Sequence, residues 1–197
     1  MHRCWNHNTA YHPWILRAIV EHPRARMLDV GCGDGLLLER LAPYAGTLVG
    51  LEPDPATADR AAQRLAHLPH ATVLTETFDE HTAEHPYDTI IFVASLHHMD
   101  LTSALARARD LLTPGGELVV VGLAANRSPG DWMVAALQVV PAFIGSRLHR
   151  ETRETAAPTV APRESLAEIR ATARALLPGA RIRRGLYYRY LLRWRKP

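Results

Sequence analysis

Three glycines alternate in Gly31-Cys32-Gly33-Asp34-Gly35, directly after the apolar run Met27-Leu28-Asp29-Val30 and before Leu36-Leu37-Leu38-Glu39-Arg40-Leu41. The first run reads as a buried strand and the leucine-rich run as a helix. Glycines between them let backbone approach a ligand where a side chain would stand in the way. The N–H groups that open the helix have no partner within it and suit a polar or anionic ligand group. The pattern is a strand–loop–helix site for a nucleoside or nucleotide.

Two acids sharpen the chemistry. Glu52 lies 19 residues beyond Gly33, at the end of a second apolar run, where a carboxylate can accept from both ribose hydroxyls. Asp79 follows a third run and can accept from an adenine amine, with Phe78 beside it to lie against the ring. A dinucleotide fingerprint would carry a third glycine at position 36, which is leucine, and no Lys-Ser/Thr of a phosphate loop follows. The remaining ligand is a nucleoside with a charged amino-acid tail, S-adenosylmethionine, with Asp29 orienting the loop or the tail's ammonium group.

Histidines are the candidates for proton transfer, because an imidazole titrates near neutral pH. His97 and His98 follow the fourth strand and, as sequence neighbours, are expected to point apart. His12 comes from the polar, aromatic N-terminus. A base is needed only if the acceptor holds a proton at neutral pH; otherwise positioning and desolvation supply the rate. The histidines lack zinc-ligand spacing, and no metal is expected.

The positioning elements alternate. Strands are expected over 25–31, 47–52, 71–77, 88–94 and 117–123, with helices over 34–42, 56–66 and 101–112. Asp54 caps the second of these helices and Pro55 opens it, and Thr113-Pro114-Gly115-Gly116 turns the chain after the third. Such alternation builds a parallel sheet with helices on both faces and its ligand at the strand C-termini. The charged loop 80–86 reads as surface. A short helix over 13–20 is either a cover for a sheet edge or part of a lid formed by 1–20. An insertion over 124–161 contains an apolar stretch, 131–145, read as a wall of the substrate pocket. An amphipathic helix over 163–177 precedes two strands over 180–184 and 186–194, whose arginines read as a solvated face.

Composition bounds the rest. The 197 residues, 47% hydrophobic and 22% charged, suit one domain with a substantial core. A net charge of +3 reads as that of a mildly basic enzyme ahead of a nucleic-acid binder. The two cysteines, Cys4 and Cys32, are expected to stay unpaired in a reducing cytoplasm. The N-terminus has no signal-peptide core, and no stretch reaches the ~18 apolar residues of a membrane span.

Leu28-Asp29-Val30-Gly31-Cys32-Gly33-Asp34-Gly35, with Glu52, Asp79, Ala94-Ser95-Leu96-His97-His98-Met99 and Leu112-Thr113-Pro114-Gly115-Gly116, resembles the class I S-adenosylmethionine-dependent methyltransferases. The branch it looks most like is the small-molecule one akin to quinone-biosynthesis methyltransferases. The resemblance covers roughly 25–123 by motif, and the last two strands fit the family's antiparallel hairpin. The N-terminal Trp5-Asn6-His7-Asn8 with Tyr11-His12, and the end Tyr188-Arg189-Tyr190, are similar to a bacterial subgroup of that family. The resemblance implies an α/β, Rossmann-like, doubly wound sheet of seven strands, mostly parallel, and S-adenosylmethionine as cofactor. It places the methionine tail against Gly31 and Gly33, the ribose on Glu52 and the adenine near Asp79. It also gives the Ala94 backbone to the ammonium group and closes Tyr11 or His12 over the tail. Cys32, Pro53, Phe78 and Ser95 border these contacts and complete the expected cofactor set. The implied partner is a small, partly apolar methyl acceptor. Ser95-Leu96-His97-His98 replaces the Asn/Asp-Pro-Pro-aromatic run of amide and exocyclic-nitrogen methylases, and the ends of the fourth and fifth strands carry none of the acids of catechol-type magnesium enzymes. A cofactor-binding protein without transfer, or an RNA methyltransferase using the arginine-rich end, are the alternatives.

Overall fold

The computed structural model describes residues 6–19, 25–129, 131–133, 160–186 and 188–197. After a 3-10 turn, Thr9–Tyr11, the elements run α1 (His12–Ile19), β1 (Ala25–Val30), α2 (Leu36–Leu41), β2 (Ala45–Leu51), α3 (Pro55–Leu65), β3 (Ala71–Leu74) and β4 (Tyr87–Val93). Another 3-10 turn, Leu96–His98, leads to α4 (Leu101–Leu111), β5 (Leu112–Leu123), α5 (Leu166–Leu176), β6 (Arg181–Arg184) and β7 (Arg189–Arg195). The seven strands form one sheet in the order β3-β2-β1-β4-β5-β7-β6. The first five are parallel, while β7 runs antiparallel to both β5 and β6. The expected doubly wound sheet with its C-terminal hairpin is therefore present. The order reverses between β1 and β4, which puts a switch-point crevice at their C-terminal ends.

Side chains alternate across the sheet. Met27 faces the layer of α1, α2 and α3, with Ile15, Leu38 and Leu65, and Leu28 faces the layer of α4 and α5, with Leu105 and Ile169. Both layers are apolar, so the central strands read as near-continuous hydrophobic runs.

Local chemistry sets the helix starts. The Asp54 carboxylate accepts the Thr57 N–H at 2.9 Å, and Pro55 opens α3. Asp100 caps α4 through Ser103 in the same way. α5 begins at Leu166 and not at 163, because Ser165 and Glu168 close a reciprocal capping box there. β3 ends at Leu74, short of the expected 77: the Thr77 N–H and hydroxyl both donate to Glu80, turning the chain away from the sheet.

The loop 80–86 is not all surface. His81 is buried, its Nδ1 2.6 Å from Glu76 and its Nε2 2.8 Å from the Tyr87 hydroxyl. Arginines of the last two strands also depart from a purely solvated face. Arg181 and Arg183 are exposed, but Arg193 makes two bonds to the buried Glu117 and Arg184 pairs with Asp131. Cys32 is a buried free thiol. Cys4, Trp5 and most of the insertion, including all of the apolar stretch beyond Met133, lie outside the described residues.

Candidate active site

The glycine loop is held by its own backbone. Gly31 and Cys32 donate to the Leu51 carbonyl at 2.8 and 3.0 Å, and Gly35 donates to Cys32 at 3.1 Å. Gly31 has φ +73°, and a β-carbon there would stand 2.6 Å from that of Ser95. Both conformation and space therefore demand glycine. Ser95 donates its hydroxyl proton to the Val30 carbonyl, so it pins the end of β4 to the loop and does not offer that proton to a ligand. Ala94, just before it, has φ +55°, a conformation that costs a non-glycine residue about 1–2 kcal/mol. Its N–H is used by the Val121 carbonyl at 2.8 Å, so the strained peptide is fastened on one side while turning at the crevice.

Glu52 stands at the loop's mouth. It accepts from Gly33 N–H at 3.0 Å and from Asp54 N–H at 3.1 Å. A carboxylate offers about four acceptor sites, so two are left for a diol. Pro53 is exposed beside it. The Cys32 thiol is buried and packs over Gly50, where a β-carbon would meet its sulfur at 2.8 Å. Burial, followed by Asp29 and Glu52, pushes the thiol well up from its ordinary value, so Cys32 is packing and not a nucleophile. From α3, Arg64 grips the loop's far end, bonding the Asp34 carboxylate at 2.7 Å and its carbonyl at 2.8 Å.

A cavity of about 70 Å³ opens over this loop, lined by Asn8, Thr9, His12, Asp29, Gly31 and Gly33 among others. Asp29 is 2% exposed and its Oδ1 has no hydrogen-bond partner. Burial, followed by the Glu52 charge, raises its pKa to about 7. A buried acid with an open acceptor is what an ammonium group would complete. Together with the loop that excludes side chains and the two open acceptor sites of Glu52, this fits an α-amino-acid tail on a ribonucleoside.

The N-terminal segment roofs the cavity. The Tyr11 hydroxyl donates to the Leu186 carbonyl at 2.7 Å, at the β6–β7 corner, so Tyr11 straps the segment down. His12 is buried, and its Nδ1 lies 2.8 Å from an Arg40 nitrogen. Burial and the Arg40 charge lower its pKa to about 3. With that lone pair engaged, His12 is not a competent general base, which corrects its candidacy.

The remaining expectations divide. Phe78 is 1% exposed and packs edge-on against Phe92, with ring centres 5.3 Å apart. It is a core residue and cannot lie against an adenine. Asp79 is exposed on the turn after β3. His97 and His98 do not point apart: their ring centres are 4.1 Å apart, because the 3-10 turn stacks neighbours that an extended chain would separate. Burial, then His98 and Arg189, lower the His97 pKa to about 4, and His98 is exposed. Sequence reasoning missed Arg40, Arg64, Asn8 and Thr9. The chance of finding Asn8 and Thr9 lay in the polar cluster before α1. Nothing in the sequence marks Arg40 or Arg64, whose partners are 28 and 30 residues away.

A second cavity, of about 280 Å³, opens at the C-terminal end of β5 and is lined by Ala124, Asn126, Asp131, Leu166, Arg184 and Tyr188 among others, with Arg189 and Tyr190. Arg189 donates to Asn8 at 2.7 Å, so one hydrogen-bonded pair joins the lining of the two cavities. Among the described residues no three His, Cys, Asp or Glu side chains gather to hold a metal ion, and no helix is long and apolar enough to cross a membrane.

Comparison with known proteins agrees with this geometry. Residues 28–118 match the family model described as a methyltransferase domain. An uncharacterized methyltransferase of Mycobacterium tuberculosis is 37% identical, over 100% of both chains. The ubiquinone biosynthesis O-methyltransferase of Sodalis glossinidius is 35% identical over 55% of this chain and 45% of its own. Among solved structures, the N-methyltransferase NodS of Bradyrhizobium japonicum bound to S-adenosylhomocysteine has a TM-score of 0.67 at 18% identity. That match covers 96% of this chain and 87% of the other. An amino pentose methyltransferase of Micromonospora echinaspora, bound to S-adenosylmethionine, has a TM-score of 0.65 at 17% identity, covering 98% and 92%. The glycine loop, the seven-stranded sheet and the full-length relative together show that this chain belongs to the class I S-adenosylmethionine-dependent methyltransferases.

Proposed function

We propose that this methyltransferase acts on a small, partly apolar molecule that enters the cavity at the end of β5. The observation that carries the reading is the pairing of Arg189 with Asn8, which sets that cavity beside the cofactor cavity. A volume of about 280 Å³ matches the lower end of small-molecule sites, roughly 300–1,000 Å³, and its lining mixes Leu123, Leu166 and two tyrosines with Asn126, Asp131 and Arg184. The name of one relative, a ubiquinone biosynthesis O-methyltransferase, points the same way. In the bound state S-adenosylmethionine supplies a methyl group already activated on a sulfonium. The chain's part is to hold, orient and dry the reactants. Gly31 and Gly33 receive the tail, Asp29 its ammonium group, and Glu52 the ribose, with Asp79 toward the adenine. The segment 1–20 is the lid of one catalytic domain over 1–197. His97 is the remaining candidate for accepting an acceptor's proton, and the burial that lowers its pKa to about 4 makes it neutral but weakly basic at pH 7.

Incubation with tritium-labelled S-adenosylmethionine and a cell extract, followed by fractionation, tests this. The expected result is label in the small-molecule fraction, extractable into an organic phase. Label in RNA or protein alone would overturn it.

A further inference from the structure

The cofactor cavity is lined by a buried acid and by a histidine whose protonation the structure constrains. The Arg40 guanidinium carries only donors. The His12 Nδ1 bonded to it at 2.8 Å must therefore be an acceptor. The imidazole is neutral, and its single proton sits on Nε2. His12 is 4% exposed and lines the cavity, and among the described residues Arg40 is its hydrogen-bond partner. A ring N–H backed by a guanidinium is a strong donor, because the Arg40 charge polarises it toward an anion. Asp29 offers the complement, a buried acid with an unpartnered oxygen in the same cavity. The pair matches the two ends of a zwitterionic α-amino acid.

We infer that His12 is the carboxylate-binding residue of the cofactor cavity, locked by Arg40 as the Nε2–H tautomer so that it donates to the carboxylate while Asp29 takes the ammonium group. The inference rests on S-adenosylmethionine being the ligand of this cavity, and it turns a candidate base into a recognition residue. It also explains why Arg40 sits on α2 behind the glycine loop. Arg40 never touches the ligand, and acts by fixing which nitrogen of His12 carries the proton.

The test uses the full chain and two probes, S-adenosylmethionine and its decarboxylated analogue, titrated by calorimetry. A charge-assisted hydrogen bond predicts that the wild type prefers the carboxylate-bearing ligand by about 10- to 100-fold. His12→Phe should bring that ratio to within about threefold, with the affinity for the decarboxylated analogue unchanged, while His12→Gln, which keeps an N–H donor, retains part of the preference. Nitrogen-15 spectra of histidine-labelled protein should show His12 as the Nε2–H tautomer without ligand. Arg40→Met should mix the tautomers and move the ring's titration up toward the ordinary value. Equal weakening of both ligands by His12→Phe would overturn the inference, as would a proton found on Nδ1. If His12→Phe does not fold, the Arg40→Met spectra and affinity ratio decide alone. A wild type that binds neither probe would overturn the cofactor assignment itself, a result distinct from any of these.

Discussion

Two buried polar groups, one in β1 and one in the loop that leads into the neighbouring β4, have opposite meanings. Asp29, in β1 beside Ile91 of β4, is shut from water with an oxygen that bonds to nothing. His81 packs against Tyr87, which opens β4 four residues earlier, roughly 13 Å along the strand. Both His81 ring nitrogens are bonded, to Glu76 and to the Tyr87 hydroxyl. The fully bonded cluster is architecture: it ties the β3–β4 loop to the sheet, and Arg107 fastens the same loop through the carbonyls of Phe78 and His81. The incomplete cluster is a site. Leaving a buried acceptor unmade costs about 1–3 kcal/mol; among the four such side-chain atoms of the described residues, the Asp29 Oδ1 is the one whose residue lines the cofactor cavity, where a ligand would complete the bond.

The sharpest way to break the contrast is Gly31→Ala. A β-carbon would sit 2.6 Å from that of Ser95, on backbone with φ +73°. Left-handed strain and overpacking together should lower the unfolding free energy by about 2–5 kcal/mol, read by denaturant titration, and calorimetry should detect no cofactor binding. Asp29→Asn comes next and should separate binding from stability. Cofactor affinity should fall about 10- to 100-fold, the worth of a charge-assisted bond, while the fold loses nothing. The pH dependence supplies the sign. With the folded pKa raised from 3.8 to about 7, the folded protein holds a proton that the unfolded chain has released. Asp29 therefore makes stability fall as pH rises from about 4 to 7, after which its effect is constant. The Asp29→Asn variant should flatten that slope. Cofactor affinity moves the opposite way in the wild type, rising up to about tenfold per pH unit toward pH 7 as the acid ionises.

Much of this is legible in the residues. The glycine loop, Glu52 and the alternation of strands are local patterns, and periodicity reads them directly. Asp29 is legible as an acid in an apolar run, but not its missing partner, since that depends on what the N-terminal segment and β4 bring against it. The charge of its loop makes His81 look like surface, and the Glu76 and Tyr87 that justify its burial lie on either side of a turn. Phe78 fails for the converse reason: proximity in sequence to Asp79 says nothing about which side of the turn a ring takes, and the core claims it. The acceptor cavity is the least legible, because it is assembled from 123–131, 162–166 and 184–190, whose meeting is set by the β5–β7 pairing.

On the architectural side the effects are smaller and fall on stability alone. Tyr87→Phe leaves the His81 Nε2 without its partner, a loss of about 1–3 kcal/mol in unfolding free energy, with cofactor affinity unchanged within twofold in calorimetry. A change in that affinity would show that the two clusters are coupled through β4. Glu76→Gln is the mildest. An amide oxygen accepts the same Nδ1–H that the carboxylate accepts at 2.6 Å, so what is lost is the difference between a charged and a neutral acceptor, about 1 kcal/mol or less. The Glu76 side chain is 31% exposed, which screens its charge further. A loss much above 1 kcal/mol would mean that the carboxylate holds a protonated ring and that the cluster is an ion pair.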